Sequence, residues 1–221
     1  YDNHNNEWNW TVAAEGFIGN AEMNRKFLVV DDIFEAKSDY YSYGVGLKNE
    51  LRKTVLAQLT SQDPETKAKI DQYLLEQLIA LPAYKDAQVI ATYLSFPHEY
   101  DTSLLINQAL KDGKRLLIPK TYKQGRMIFV DYDPDNLVAT SFGLMEPASD
   151  LAVDKSEIDL IHVPGVVFND EGYRIGYGAG YYDRFLSDFE GETVSTVYPC
   201  QKHDFQPDSY DIPVKEVVTC K

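Results

Sequence analysis

Apolar positions along this chain follow two rhythms, one of about four residues and one of short unbroken runs. In "LKNELRKTVLAQL" the residues Leu47, Leu51, Val55 and Leu59 return every fourth position, which predicts an amphipathic helix. "DPETKAKIDQYLLEQLIAL" predicts a second helix, capped by Asp63, opened by Pro64 and closed before Pro82. "AQVIATYLSF" is a continuous apolar run of the kind a buried strand shows, followed by a loop "PHEYD". A helix over "TSLLINQALKDG" then ends at Gly113. "KRLLIPK", "RMIFVDY" and "IDLIHVPGVVF" predict further strands, the last running into a Pro-Gly turn. A glycine-rich stretch follows, then a short helix over "YYDRFLSDF" and two closing strands, "ETVSTVY" and "KEVVTCK".

Strands alternating with helices imply an α/β fold with a mainly parallel sheet covered by helices on both faces. Ligands of such sheets sit where strands end at their carboxyl side. The loops at Phe96 to Asp101, Pro119 to Gly125 and Asn169 to Gly180 are expected there.

Composition narrows the function classes. At 221 residues the chain is one large domain, or a medium domain with an extension. A net charge of −14 argues against a general nucleic-acid binder, whose phosphate contacts need clustered Lys and Arg. It leaves room for a small phosphorylated ligand, which a few local cations can hold. Two cysteines, Cys200 and Cys220, build no disulfide framework and have no metal-ligand spacing, so a reduced cytoplasmic setting is expected. No apolar run has the roughly 18 residues of a membrane span. Residues 1–46 differ from the rest: eight acids face the three bases Arg25, Lys26 and Lys37. Within them "RKFLVVDDIF" suggests a short strand and "DYYSYGVG" a linker. They are expected to be an extension of the region that follows, residues 47–221.

The chemistry concentrates in "GYRIGYGAGYYDRFL", residues 172–186, with four glycines and four tyrosines in fifteen positions. Gly176-x-Gly178-x-Gly180 lacks the dinucleotide-binding spacing, and no Walker lysine follows. What remains is a loop of backbone N–H groups that can cradle an anion, against the bland alternative of a tight turn packed by tyrosines. Asp183 is suited to a hard cation such as Mg²⁺ that bridges to phosphate. Lys48 and Arg52 share one helix side, and on their own resemble a solvated face. Glu99, in a loop after a strand, is by itself more often solvated than functional. His98, His162 and His203 share no metal-site spacing, and no triad nucleophile is evident. Asp211 before Ile212-Pro213 can simply make a turn.

Taken in order, these pieces resemble the 5-formyltetrahydrofolate cyclo-ligase family. The resemblance runs from Lys48-x-x-x-Arg52 through "YLSFPHEYDT" at 93–102, "LIPK" at 117–120 and "GLMEP" at 143–147. It continues through "DLIHVPGVVFNDEGYRIGYGAGYYDRFL" at 159–186 to "YPCQ" at 198–201. It implies a three-layer α/β/α sandwich similar to the NagB/RpiA/CoA-transferase-like fold, ATP with Mg²⁺, and 5-formyltetrahydrofolate as substrate. On this resemblance Lys48, Arg52 and Arg174 bind ATP, with Gly176, Gly178 and Gly180 around its phosphates. Arg174 and the loop Tyr177, Gly178, Ala179, Gly180 and Tyr181 surround the reacting groups. Leu94, Glu99, Tyr181 and Tyr182 contact the folate, and Asp183 and Asp211 hold Mg²⁺. Family members often carry Lys or Gly where this chain has Ala179, and His where it has Tyr210. A monomer is expected, without nucleic acid or membrane among its partners. The alternative is a noncatalytic nucleotide- or phosphate-binding module on the same sheet.

Overall fold

The computed structural model describes residues 46–140 and 145–220. The suggested strand and linker before residue 46, and the first two residues of "GLMEP", lie outside them. Residues 51–221 make one compact unit, and the fold below is theirs.

Residues 46–60 are helical (α1). Val55 and Leu59 of its apolar stripe are buried and Leu51 packs beside them. Helix α2, Pro64–Ala80, starts as its sequence predicts: Asp63 accepts the Thr66 amide at 2.9 Å, and Pro64 occupies the first turn. A short helix α3, Pro82–Asp86, precedes strand β1, Val89–Ala91. Helix α4 spans Thr102–Lys111, capped by Asp101 through the Ser103 amide at 3.0 Å. Strand β2 is Arg115–Thr121 and β3 is Met127–Asp131. A hairpin β4, Leu137–Ala139, and β5, Met145–Pro147, comes next. Then follow β6, Leu160–His162; β7, Val167–Phe168; β8, Arg174–Ile175; α5, Tyr181–Leu186; β9, Glu192–Val197; and β10, Glu216–Thr219.

The central sheet has the order β10-β9-β6-β1-β2-β3, parallel throughout except for β3 at one edge. Side chains alternate across it, as the pleat requires. Ile90, Leu116, Leu160 and Val218 enter a core with α1, α2 and α4, whereas Ala91, Leu117, Ile161 and Val217 face a second core. The expectation of helices on both faces is met unequally. Among the described residues one face carries α1, α2, α4 and the short α3; the other carries α5 and irregular segments that supply Val153, Ile158, Phe189 and Val214.

β1 is shorter than its apolar run. After Ala91 only the Thr92 amide still reaches β2, at Leu117 O. Farther on, Ser95 and Thr102 exchange hydrogen bonds and draw the chain out of the sheet. Loops therefore leave the carboxyl ends of β1, β6 and β9 on the same rim. No helix among the described residues is long and apolar enough to cross a membrane.

Candidate active site

The glycine loop, residues 176–180, joins β8 to α5. Gly178 and Gly180 have φ of 106° and 65°, a backbone region that strains any side chain. The loop's start is held from α1, where Arg52 Nε donates to Gly176 O at 2.7 Å. Partial burial lowers the Arg52 pKa from its usual range. Among the described residues, no protein group accepts a hydrogen bond from the amides of residues 177–180. Four successive N–H groups are thus left available, in a loop whose twist only glycine tolerates.

Across the rim stands the loop after β1. Glu99 is 7% exposed, so it is not the solvated carboxylate of the bland alternative. Its Oε2 accepts the Phe96 amide at 2.7 Å, and its Oε1 accepts the Tyr177 hydroxyl at 2.7 Å. Burial raises the Glu99 pKa, and the Tyr177 and Phe96 hydrogen bonds work against that rise. His98 Nε2 lies 2.9 Å from the same hydroxyl. Because a phenol has one proton and Tyr177 gives it to Glu99, His98 acts as the donor at Nε2. Phe96 stacks on His98 with centroids 5.5 Å apart. Burial, then the Glu99 charge, pushes the Tyr177 pKa up and keeps its proton in place. His98 was not foreseen as a site residue; its one sequence signal is its place beside Glu99 in "PHEYD".

Arg174 and Asp183, expected at ATP and at Mg²⁺ respectively, meet each other in an ion pair that was not foreseen. Arg174, 5% exposed, gives Nη2 to Asp183 Oδ1 at 3.0 Å and Nη1 to Ile212 O at 2.6 Å. Burial lowers its pKa, and the charges of Asp183, Tyr182 and Asp211 oppose the fall. Asp183 Oδ1 also accepts the Ile212 amide at 3.1 Å, which brings the segment carrying Asp211 to Asp183. Asp211 Oδ2 accepts the Asp208 amide at 2.8 Å. Both protein bonds to Asp183 fall on Oδ1, leaving Oδ2 to a ligand. Among the described residues no group of three or more His, Cys, Asp or Glu is placed to hold a metal. Two carboxylates do suit Mg²⁺, which keeps several waters and completes its shell with phosphate oxygens. Two are too few to cage an ion by protein alone, so a Mg²⁺ held here would need to arrive with a phosphate.

The remaining expected residues are spread around these two loops. Leu94 is half-buried at the edge of the first core. Tyr181 donates to Tyr122 O at 3.1 Å and packs on the second core. The Tyr182 ring meets Phe129 edge-on at 6.4 Å, and its buried hydroxyl has no protein partner. Lys48 falls in the other compact unit, residues 1–50, and is helical there. Beneath the rim His162 is fully buried, with Thr92 Oγ1 at 3.0 Å from Nδ1 and Thr196 Oγ1 at 3.0 Å from Nε2.

Comparison with known proteins agrees on one family. The model of the 5-formyltetrahydrofolate cyclo-ligase family matches residues 45–220. The 5-formyltetrahydrofolate cyclo-ligase of Escherichia coli is 32% identical over 165 residues, 71% of this chain and 91% of that protein. A 5,10-methenyltetrahydrofolate synthetase of Aquifex aeolicus superposes with a TM-score of 0.69 at 35% identity, covering 78% of this chain and 89% of its own. One from Mycoplasma pneumoniae superposes at 0.65 with 26% identity, covering 77% and 97%.

Proposed function

The chain belongs to the 5-formyltetrahydrofolate cyclo-ligase family and is a ligase of folate one-carbon metabolism, and from that premise we propose the reaction and the parts its residues play. It closes 5-formyltetrahydrofolate to 5,10-methenyltetrahydrofolate at the expense of ATP, with release of ADP and phosphate. The formyl oxygen is a poor leaving group. It takes the γ-phosphoryl group as the bond to ADP breaks; N10 then attacks the formyl carbon, loses its proton, and phosphate departs. Phosphoryl transfer asks a protein for positioning and charge stabilisation, and no covalent nucleophile is needed.

One observation carries this reading. The Arg52 side chain and the Glu99 carboxylate, expected to serve ATP and folate respectively, both bond to the same five-residue loop, at Gly176 O and at the Tyr177 hydroxyl. Phosphate and formyl group would meet over that loop, where the amides of residues 177–180 donate to the oxygens as charge shifts between them. Arg52 adds positive charge; Arg174, expected at ATP, has its guanidinium on Ile212 O and Asp183 and would act by positioning Asp183. Mg²⁺ bound by Asp183 and Asp211 with the phosphates would neutralise charge on the transferring group. Leu94, Tyr181 and Tyr182 would wall the folate, since an aromatic ring stacks well on a flat pterin.

The test is to incubate the protein with 5-formyltetrahydrofolate, ATP and Mg²⁺ and to follow methenyl-folate absorbance. Signal that needs ATP supports the proposal. Tight ATP binding without any turnover would favour a nucleotide-binding module instead.

A further inference from the structure

Arg184, exposed on α5, is not needed by the reaction as proposed, yet it touches the loop at its most constrained point. Its Nη1 donates to Ala179 O at 2.6 Å, and its own amide bonds Gly180 O at 3.2 Å. A methyl group placed on Gly125 would stand 2.1 Å from Arg184 Nη1 and 2.6 Å from its Cζ; one on Gly180 would stand 3.0 Å from Nη1. The guanidinium therefore fills the space that two side chains would take. It lies between the glycine loop and the turn that joins β2 to β3. Tyr181, bonded to Tyr122 O at 3.1 Å, ties the same two segments a second time.

Peptide planarity turns this contact into a functional one. In a trans peptide the C=O and N–H point in opposite directions, and the described residues contain no cis bond. Holding the Ala179 carbonyl on Arg184 therefore aims the Gly180 amide away from Arg184. That amide is one of the four without a protein acceptor. A free carbonyl would be able to rotate toward the anion and replace a donor with a repelling oxygen. We propose that Arg184 is a positioning residue: its guanidinium, seated over Gly125 and Gly180, locks the Ala179–Gly180 peptide so that the Gly180 amide serves the oxygens of the reaction. This rests on the functional reading above.

Arg184→Met keeps most of the stem and loses the donors. Its kcat is expected to fall roughly tenfold, the worth of a charge-assisted hydrogen bond, with KM for 5-formyltetrahydrofolate unchanged. Its melting temperature should stay within about 2 °C, because the bond is exposed. Arg184→Lys, which can still reach the carbonyl, should recover the larger part of the rate. Parental kcat in Arg184→Met overturns the proposal, and so does a loss that Lys does not recover. A crystal structure of Arg184→Met separates this inference from the functional reading. A rotated Ala179–Gly180 peptide supports the lock even if the parent cyclises nothing, and an unrotated one refutes it.

Discussion

His162 ties the stability of the site's floor to pH. It sits in the middle of the sheet, fully buried between the hydroxyls of Thr92 and Thr196, with the rings of Tyr93 and Tyr100 at 5.1 and 5.5 Å. Burial lowers its pKa from 6.5 to about 3, so the folded imidazole stays neutral. A depressed pKa contributes stability that is complete above the unfolded value and is lost as pH falls toward the folded one. Near pH 5 the unfolded chain has taken up this proton and the folded chain has not. Between about pH 7 and pH 5 the linkage removes about 2 kcal/mol. That figure hardly depends on the folded value, provided it lies well below 5. Other groups titrate in the same window, so the comparison must be with His162→Gln, which keeps an amide donor and acceptor but no titration. Urea unfolding at both pH values measures it. The stability gap between parent and variant should narrow by about 2 kcal/mol at the lower pH, or roughly 1 M in midpoint for a typical m-value. A gap that stays constant would refute the reasoning, since it would mean that the native ring takes up the proton as readily as the unfolded one.

Three further outcomes follow from the site. Asp183→Asn should abolish most turnover and also lower stability by roughly 1–3 kcal/mol, because the buried Arg174 loses its counter-charge while keeping an acceptor; thermal melts beside initial rates check both. Arg52→Ala should raise KM for ATP by about tenfold while KM for the folate holds, as a guanidinium prefers phosphate; equal shifts in both would return Arg52 to a structural role at Gly176. Tyr177→Phe should cost roughly 1–2 kcal/mol of stability by stripping buried Glu99 of a donor. Calorimetry should find its affinity for 5-formyltetrahydrofolate undiminished, and a large loss would instead place the hydroxyl on the substrate.

The sheet and its helices were legible because long apolar periods and caps announce them. Asp63 and Pro64 start α2 as their types predict, and β2, β9 and β10 stand where the β-branched and leucine runs lie. β4, β5 and β8 were not legible, since two or three residues show no period, and the run "IDLIHVPGVVF" divides at its Pro-Gly turn into β6 and β7. The same limit governs the site. Glycine spacing exposed the loop, but its grips are tertiary: Arg52 reaches a carbonyl 124 residues away, and Glu99 finds Tyr177 78 residues away. Nothing local tells a buried Glu from a solvated one when its partner is that distant. Asp183 reads in sequence only as a carboxylate for a cation; its pairing with the buried Arg174 is a second, structural tie that no local pattern shows.

If Glu99 receives the folate as proposed, the hydroxyl that Tyr177 lends to it would make admission to the site an exchange. Without ligand, both oxygens of this carboxylate are already engaged, one by a fixed main-chain amide and one by a side chain on a half-exposed residue. The amide stays; the phenol can swing out. A molecule that takes the phenol's place on Glu99 would have to bring a proton donor of its own, since a carboxylate only accepts. An analogue that presents a lone pair or a methyl group there would turn out the incumbent and leave one oxygen of a buried carboxylate without its donor, at a cost in affinity. Molecules that differ by a single N–H would then be told apart at the threshold, before any phosphoryl group is spent on them.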